Sequence, residues 1–100
     1  MEATLAKRGE LKPMDAWEES IRDAAVKYNV IGFRPGRNSK AYGSFDMLWA
    51  AQAYAKELMQ QPLGLRCVMI YAIDEYDHHA LVATVNQYDK EIKKVEPKRY

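Results

Sequence analysis

Apolar residues recur at helical spacing in two segments of the chain. One face of the segment 15–28 is formed by Trp17, Ile21, Ala24, Ala25 and Tyr28. In the segment 45–61 the corresponding positions are Phe45, Leu48, Trp49, Gln52, Ala55, Leu58 and Met59. Because such spacing places side chains on one side of a helix, both segments are predicted to be amphipathic helices, the first ending at Asn29. We expect Ser44 to cap the second helix, Pro62 to end it, and both tryptophans to lie in the core.

Short runs of β-branched and aromatic residues predict the strands. The run 30–33 ends at the turn formed by Arg34, Pro35 and Gly36, and residues 40–43 are expected to pair back as a short second strand. Residues 66–73 and 79–85 flank an acidic turn and predict a β-hairpin. In the last segment, Tyr88, Ile92 and Val95 have the spacing of a short terminal helix.

This order of elements predicts one α+β domain. The economical architecture is a two-layer sandwich, in which an antiparallel sheet of three or four strands has the two main helices packed on one face, in the order α-β-(β)-α-β-β. We expect residues 13–96 to form this domain, with a flexible N-terminal arm over 1–12 and a frayed C-terminus over 97–100.

Composition narrows the class of protein. The 100 residues are 48% hydrophobic, which argues against a disordered chain, and no apolar stretch has the length of a membrane span. The single cysteine, Cys67, lies in an apolar run and is expected to be a buried, inert thiol of a reducing compartment such as the cytoplasm. A net charge of +1 argues against both an acidic nucleic-acid mimic and a histone-like binder.

Catalytic and metal-binding patterns are weak in this sequence. His78 and His79 lie beside three acids, but adjacent strand residues point to opposite faces, so a polar hairpin tip is favoured over a metal site. No serine lies in a nucleophile motif, and Ser44 is already explained as a helix cap. We therefore expect a protein that is not an enzyme and that needs no cofactor or metal.

Two segments are better candidates for binding. The loop 34–40 carries three cations and no acid ahead of the predicted second helix, a setting that suits phosphate or an acidic protein surface, although a solvated turn is the simpler alternative. The hairpin tip is acidic, and exposed tyrosine with arginine is typical of interface hot spots. The candidate partner-binding residues are Arg34, Arg37, Lys40, Tyr42, Asp74, Glu75, Tyr76 and Asp77.

Short length, a single cysteine, tyrosine-rich surface segments and the absence of catalytic signatures occur together in this chain. In these respects it resembles the small proteins that phages and mobile elements encode against host machinery, anti-CRISPR proteins among them. The resemblance implies an inhibitor of a nucleic-acid-targeting complex in the host cytoplasm. Members that mimic DNA are strongly acidic, so a chain of net charge +1 would instead block a protein surface by specific contacts.

Two functions follow from these observations. The leading hypothesis is a non-enzymatic module that binds and inhibits a larger partner, namely a protein complex of the host nucleic-acid machinery. The alternative is a small nucleic-acid-binding protein that uses the 34–40 loop and the basic C-terminal segment 86–100. A membrane partner is not expected, and the oligomeric state is open.

Overall fold

The computed structural model describes residues 13–87 and 92–95, so the predicted arm and frayed C-terminus lie outside the described residues. Within these ranges the chain forms two helices and five strands. In chain order they are α1 (Pro13–Asp23), β1 (Lys27–Phe33), β2 (Lys40–Phe45), α2 (Leu48–Gln60), β3 (Cys67–Ile73), β4 (His79–Asn86) and β5 (Ile92–Lys94).

The five strands form one antiparallel sheet in the order β2-β1-β3-β4-β5. The α+β class and the β3–β4 hairpin are confirmed, but the sheet has more strands than the three or four predicted. Since β1 is antiparallel to both of its neighbours, β2 and β3 run parallel to each other with β1 between them. Helix α2 makes the crossover from β2 to β3 and contacts β1 on the way.

The core lies between α2 and one face of the sheet. Its buried residues are Val30, Ala51, Ala55, Leu58, Met59, Leu65, Val68, Ile70, Ala83 and Val85. Strand alternation explains the sheet part of this set, because Val30, Ile70 and Ala83 lie opposite one another in the register and therefore share a face. Helix α1 contacts β3 and β4, and its Ile21 is buried.

A β-bulge in β2 aims Tyr42 at this core. Val30 pairs with Gly43 and Ile31 pairs with Ala41, so Tyr42 has no partner in the register. Its ring lies against Gly32, where a Cβ would come within 2.6 Å of the ring. A glycine at position 32 is therefore required by the tyrosine packed above it.

The first helix is shorter than its sequence pattern predicted. Helix α1 ends at Asp23, and Lys27 to Asn29 belong to β1 instead. The backbone N–H of Val26 donates to the carbonyl of Ile73 at 2.8 Å, which begins the ladder between β1 and β3. Pairing with β3 satisfies these backbone groups along the whole segment. It therefore outweighs the helical spacing of Ala24, Ala25 and Tyr28.

The start of the second helix was also predicted wrongly. Ser44 and Phe45 extend β2, where they pair with Asn29 and Tyr28, so Ser44 does not cap the helix. The N-cap is Met47, and its side chain makes no capping hydrogen bond. Sheet pairing thus takes precedence over a local capping preference.

The predicted C-terminal helix is replaced by a strand where the structure describes it. Ile92 pairs with Val85 at the edge of the sheet and packs against the core. A helix with so few apolar positions is marginal by itself, whereas an edge strand buries the same isoleucine with ladder hydrogen bonds to β4.

Neither tryptophan is buried, contrary to the sequence-based expectation. Trp17 is 49% exposed and Trp49 is 69% exposed. Trp49 lies two residues before Ala51, about 200° around the helix axis, and therefore faces away from the sheet. The alanines Ala51 and Ala55 are completely buried, because small side chains let α2 lie close to the strands.

Gln52, the polar residue on the predicted apolar face, leaves its buried Nε2 without a hydrogen-bond partner. Gln52→Met should raise the free energy of unfolding by about 1 kcal/mol, because a buried unsatisfied donor costs roughly 1–3 kcal/mol. Urea denaturation measures the change, with Gln60→Met on the exposed part of the same helix as the control. A loss of stability in Gln52→Met alone would show that the amide has a partner in solution.

Two substitutions, one in the core and one on α2, test whether Trp49 lies outside the core. Ile70→Ala should lower the free energy of unfolding by about 2–5 kcal/mol, because Ile70 is fully buried under α2. Trp49→Ala should change it by about 0.5 kcal/mol or less, since this side chain is mostly exposed. The reverse ranking in urea denaturation would place Trp49 in the core.

Candidate functional site

The candidate binding residues divide between opposite ends of the sheet. Strand β1 ends at Phe33, opposite Cys67 at the start of β3, so the loop 34–39 lies where β3 begins. The turn 74–78 follows the last residue of β3 and lies at the other end. We call these the basic end and the tip end. They are separated by the length of a seven-residue strand, or about 23 Å at roughly 3.3 Å per residue.

The basic end is shaped by a tight turn. Pro35 and Gly36 occupy its central positions, and Gly36 has φ of +74°. The backbone N–H of Arg37 donates to the carbonyl of Arg34 at 3.1 Å. Proline followed by a residue with positive φ is the signature of a type II turn, so the predicted Pro-Gly turn is confirmed.

This turn and the start of β2 surround an open concavity of about 680 Å³. Its lining consists of Arg34, Gly36, Arg37, Asn38, Ser39 and Lys40. Within residues 13–87 and 92–95, no carboxylate forms an ion pair with any of these three cations. As far as the described residues show, the concavity therefore presents positive charge with no paired carboxylate, and this charge attracts an anionic group.

Tyr42, which was also predicted to bind a partner, lies next to this surface and contacts Lys40. Its role in binding stays a prediction. Tyr42 is half-buried, and its ring packs on Gly32. The Lys40 ammonium lies 5.2 Å from the centre of the ring, a cation–π arrangement that holds the lysine at the edge of the concavity. The hydroxyl of Tyr54 donates to the Tyr42 carbonyl at 3.2 Å.

The expected helix N-terminus is absent from the basic end. Strand β2 separates the loop from α2, which begins at Leu48 beside the tip end. The N-terminal amides and the dipole of α2 therefore do not add to the attraction for anions here. Among the described residues, the charged side chains of the loop provide it.

Arg66 belongs to the basic end, although sequence reasoning did not include it. Its backbone N–H donates to the Phe33 carbonyl at 2.8 Å, which places it beside the loop, and its side chain is exposed. No local pattern links position 66 to the loop. The only available signal was that Arg66 is the first residue of a predicted strand.

At the tip end, Asp74 is buried and has a structural role, while its predicted contact with a partner stays a prediction. Its side chain is 9% exposed. One carboxylate oxygen accepts hydrogen bonds from the backbone N–H of Tyr76 at 2.9 Å and of His78 at 2.8 Å. The other lies 3.0 Å from Nδ1 of His78. The carboxylate thus closes the turn as an Asx-type cap.

These contacts set the acidity of Asp74. Burial raises its pKa, but the hydrogen bonds from His78 and Tyr76 and the charge of His78 outweigh burial and hold the pKa below its ordinary value. The ionised carboxylate is therefore the form that stabilises the turn.

The other tip residues are exposed, as predicted. Glu75, Tyr76 and Asp77 point to solvent, and Tyr76 is 72% exposed. The ring of His78 lies 5.5 Å from that of Trp17 and 6.1 Å from that of Tyr76, measured between centroids. The hairpin tip and α1 together form an aromatic cluster that the strand pattern did not predict.

Other chemistry is limited in the part of the chain that the structure describes. It contains no group of three or more His, Cys, Asp or Glu side chains that could hold a metal ion. Cys67 is half-buried instead of fully buried, and burial raises the pKa of its thiol despite the opposing charge of Arg66. Neither described helix has the length and apolar character needed to cross a membrane.

The low pKa of Asp74 predicts acid sensitivity. As the pH falls below about 4, the unfolded chain takes up a proton at this position before the folded chain does, so the stability that the ionised carboxylate contributes is lost. Asp74→Asn should therefore be less stable than the parent at pH 7, with the difference shrinking below about pH 4. Urea denaturation across this range measures it, and Glu75→Gln in the same turn should follow the parent. A constant difference at all pH values would contradict this role.

Comparison of the chain with protein-family models, with curated proteins and with solved structures gave no match. The resemblance to anti-CRISPR proteins therefore remains a prediction. Function must be inferred from the two ends of the sheet, which differ in charge and in aromatic content.

Proposed function

We propose that this protein is a non-enzymatic interaction module that binds an acidic surface of a larger protein partner through its basic end. The observation that carries the proposal is the concavity of about 680 Å³ in which three cations lack a carboxylate partner among the described residues. Charges arranged in this way attract a complementary surface and orient it on approach. The exposed guanidinium of Arg66 extends the same charge.

A protein surface suits this end better than a nucleic acid does. Charge-driven binding of a nucleic acid pairs several lysine and arginine side chains with phosphates along the backbone. The second basic segment predicted from the sequence includes Lys93 and Lys94, which lie on β5. That strand is at one edge of the sheet, and the loop 34–39 leads into β2 at the opposite edge. The loop and the two described lysines of this segment therefore lie at opposite edges of the sheet.

The resemblance to anti-CRISPR proteins implies that the partner is a nucleic-acid-targeting complex and that binding inhibits it. We propose this specific function. A module of this size inhibits by covering a surface that its partner needs. Nucleic-acid channels are themselves basic, so the basic end would contact such a complex at an acidic region outside the channel.

The triple variant Arg34→Ala, Arg37→Ala and Lys40→Ala tests the basic end. We expect it to bind an acidic peptide of alternating Glu and Ser roughly tenfold more weakly, since three exposed ion pairs contribute about 0.2–1 kcal/mol each. Fluorescence anisotropy of the labelled peptide at low ionic strength measures the affinity. Stability should change little, because Arg37 and Lys40 are exposed and Arg34 is partly exposed. Exposed substitutions shift stability by about 0.5 kcal/mol or less each.

A matched control removes three cations elsewhere, at Lys27, Lys56 and Lys94, all of them exposed. It should retain most of the affinity for the acidic peptide. Equal losses in both variants would show that net charge alone is responsible and would contradict the proposal. Tighter binding of an oligonucleotide than of the peptide, with a steep dependence on salt, would favour the nucleic-acid alternative.

A further inference from the structure

A second candidate surface lies at the tip end, where the exposed apolar side chains are concentrated. Five large hydrophobic residues of the described chain are exposed, namely Trp17, Val26, Met47, Trp49 and Tyr76. Their exposed fractions range from 49% to 72%. Soluble proteins usually expose such residues singly and scattered over the surface.

The topology brings all five to one end of the sheet. Strands β1 and β4 begin there, and β2 and β3 end there. Val26 directly precedes β1, and Met47 and Trp49 follow β2 at the start of α2. Tyr76 lies in the hairpin tip, and the ring of Trp17 packs beside His78 of the same tip. Ring contacts through His78 join Trp17 and Tyr76, and the strand order places the other three at the same end. We call these five side chains the apolar end surface.

The charge at this end is opposite to that of the basic end. The connections 24–26, 46–47 and 74–78 contain four acids and no lysine or arginine. Asp74 is used within the turn, whereas Asp46, Glu75 and Asp77 are exposed. A binding partner must therefore supply both apolar surface and positive charge.

We propose that the apolar end surface is a docking site for a basic amphipathic segment of a protein partner. Tryptophan, tyrosine and methionine are enriched at the centres of protein interfaces, where they provide most of the binding energy. Lysine or arginine of the segment would pair with the exposed acids and lie over the faces of Tyr76 and Trp49. This surface is distinct from the basic end, so the protein would bridge two partners.

Other occupants fit less well. An anionic membrane or a nucleic acid would be repelled by the acids, as would the same end of a second copy. The basic end of a second copy is cationic, but the residues that line its concavity are polar or glycine, so it offers little to cover Trp49 and Met47. The combination of apolar surface and negative charge is complementary to a segment that carries both apolar and positively charged side chains.

The test uses a labelled 18-residue peptide of leucine and lysine with helical spacing, and a matched peptide with glutamate in place of each lysine. We expect the parent protein to bind the lysine peptide at least about tenfold more tightly than the glutamate peptide. The double variant Trp49→Gln and Tyr76→Ser should lose about tenfold or more of this affinity, as expected for interface anchors. Fluorescence anisotropy measures all four combinations.

Charge and location are tested by two further variants. Asp46→Asn with Glu75→Gln should weaken binding of the lysine peptide and reduce its dependence on salt. The triple variant of the basic end should bind this peptide as the parent does, which separates this proposal from the proposed function. Thermal unfolding of each variant confirms that it is folded.

Several outcomes would overturn the proposal. These are no binding of the lysine peptide, equal binding of both peptides, or full affinity in the Trp49→Gln, Tyr76→Ser variant. Binding to vesicles of anionic lipid that this variant abolishes would assign the surface to membranes instead. Dimers in sedimentation equilibrium that the same variant dissociates would assign it to a second copy.

Discussion

The whole structure depends on the packing of α2 against the central strands. Its fully buried Ala51 and Ala55 belong to the same core cluster as Val30 of β1 and Ile70 of β3. Because β2 and β3 are parallel and lie on either side of β1, the helix that connects them must pass over β1. Burial of this apolar face, at roughly 25 cal/mol for each Å² removed from water, thus holds three strands in their order.

This packing also determines where a binding surface can lie. The strands carry apolar side chains toward α2, so polar and charged residues collect in the connections at the two ends of the sheet. The ends are about 23 Å apart along β3, and the Debye length at physiological salt is about 8 Å. Charges at one end are therefore screened from those at the other. The net charge of +1 is therefore the sum of a basic end and an acidic end, and each end attracts charged partners independently of the other.

The sequence predicts those parts of the candidate site whose residues are adjacent in the chain. The Pro35-Gly36 turn and the cations around it are adjacent in the chain, and the structure places them together as expected. Arg66 and Trp17 were missed because each reaches its end of the molecule by long-range contacts, with Phe33 and with His78 respectively. The burial of Asp74 and its role in closing the turn were not predicted, for a different reason. An aspartate that caps its own turn has the same sequence signature as an exposed one.

The sequence by itself determined the α+β class, the β3–β4 hairpin and the existence of two helices, because these follow from periodicity over adjacent residues. Only the tertiary structure decided where the elements begin and end. Residues 27–29 belong to β1 because they pair with β3. Ser44 belongs to β2 because it pairs with β1. It also decided which side of α2 is buried. Alanines allow the close approach that a tryptophan prevents, so Trp49 was left to solvent. The element boundaries and the buried side of α2 depend on contacts between residues far apart in the chain, and local sequence patterns carry no information about these contacts.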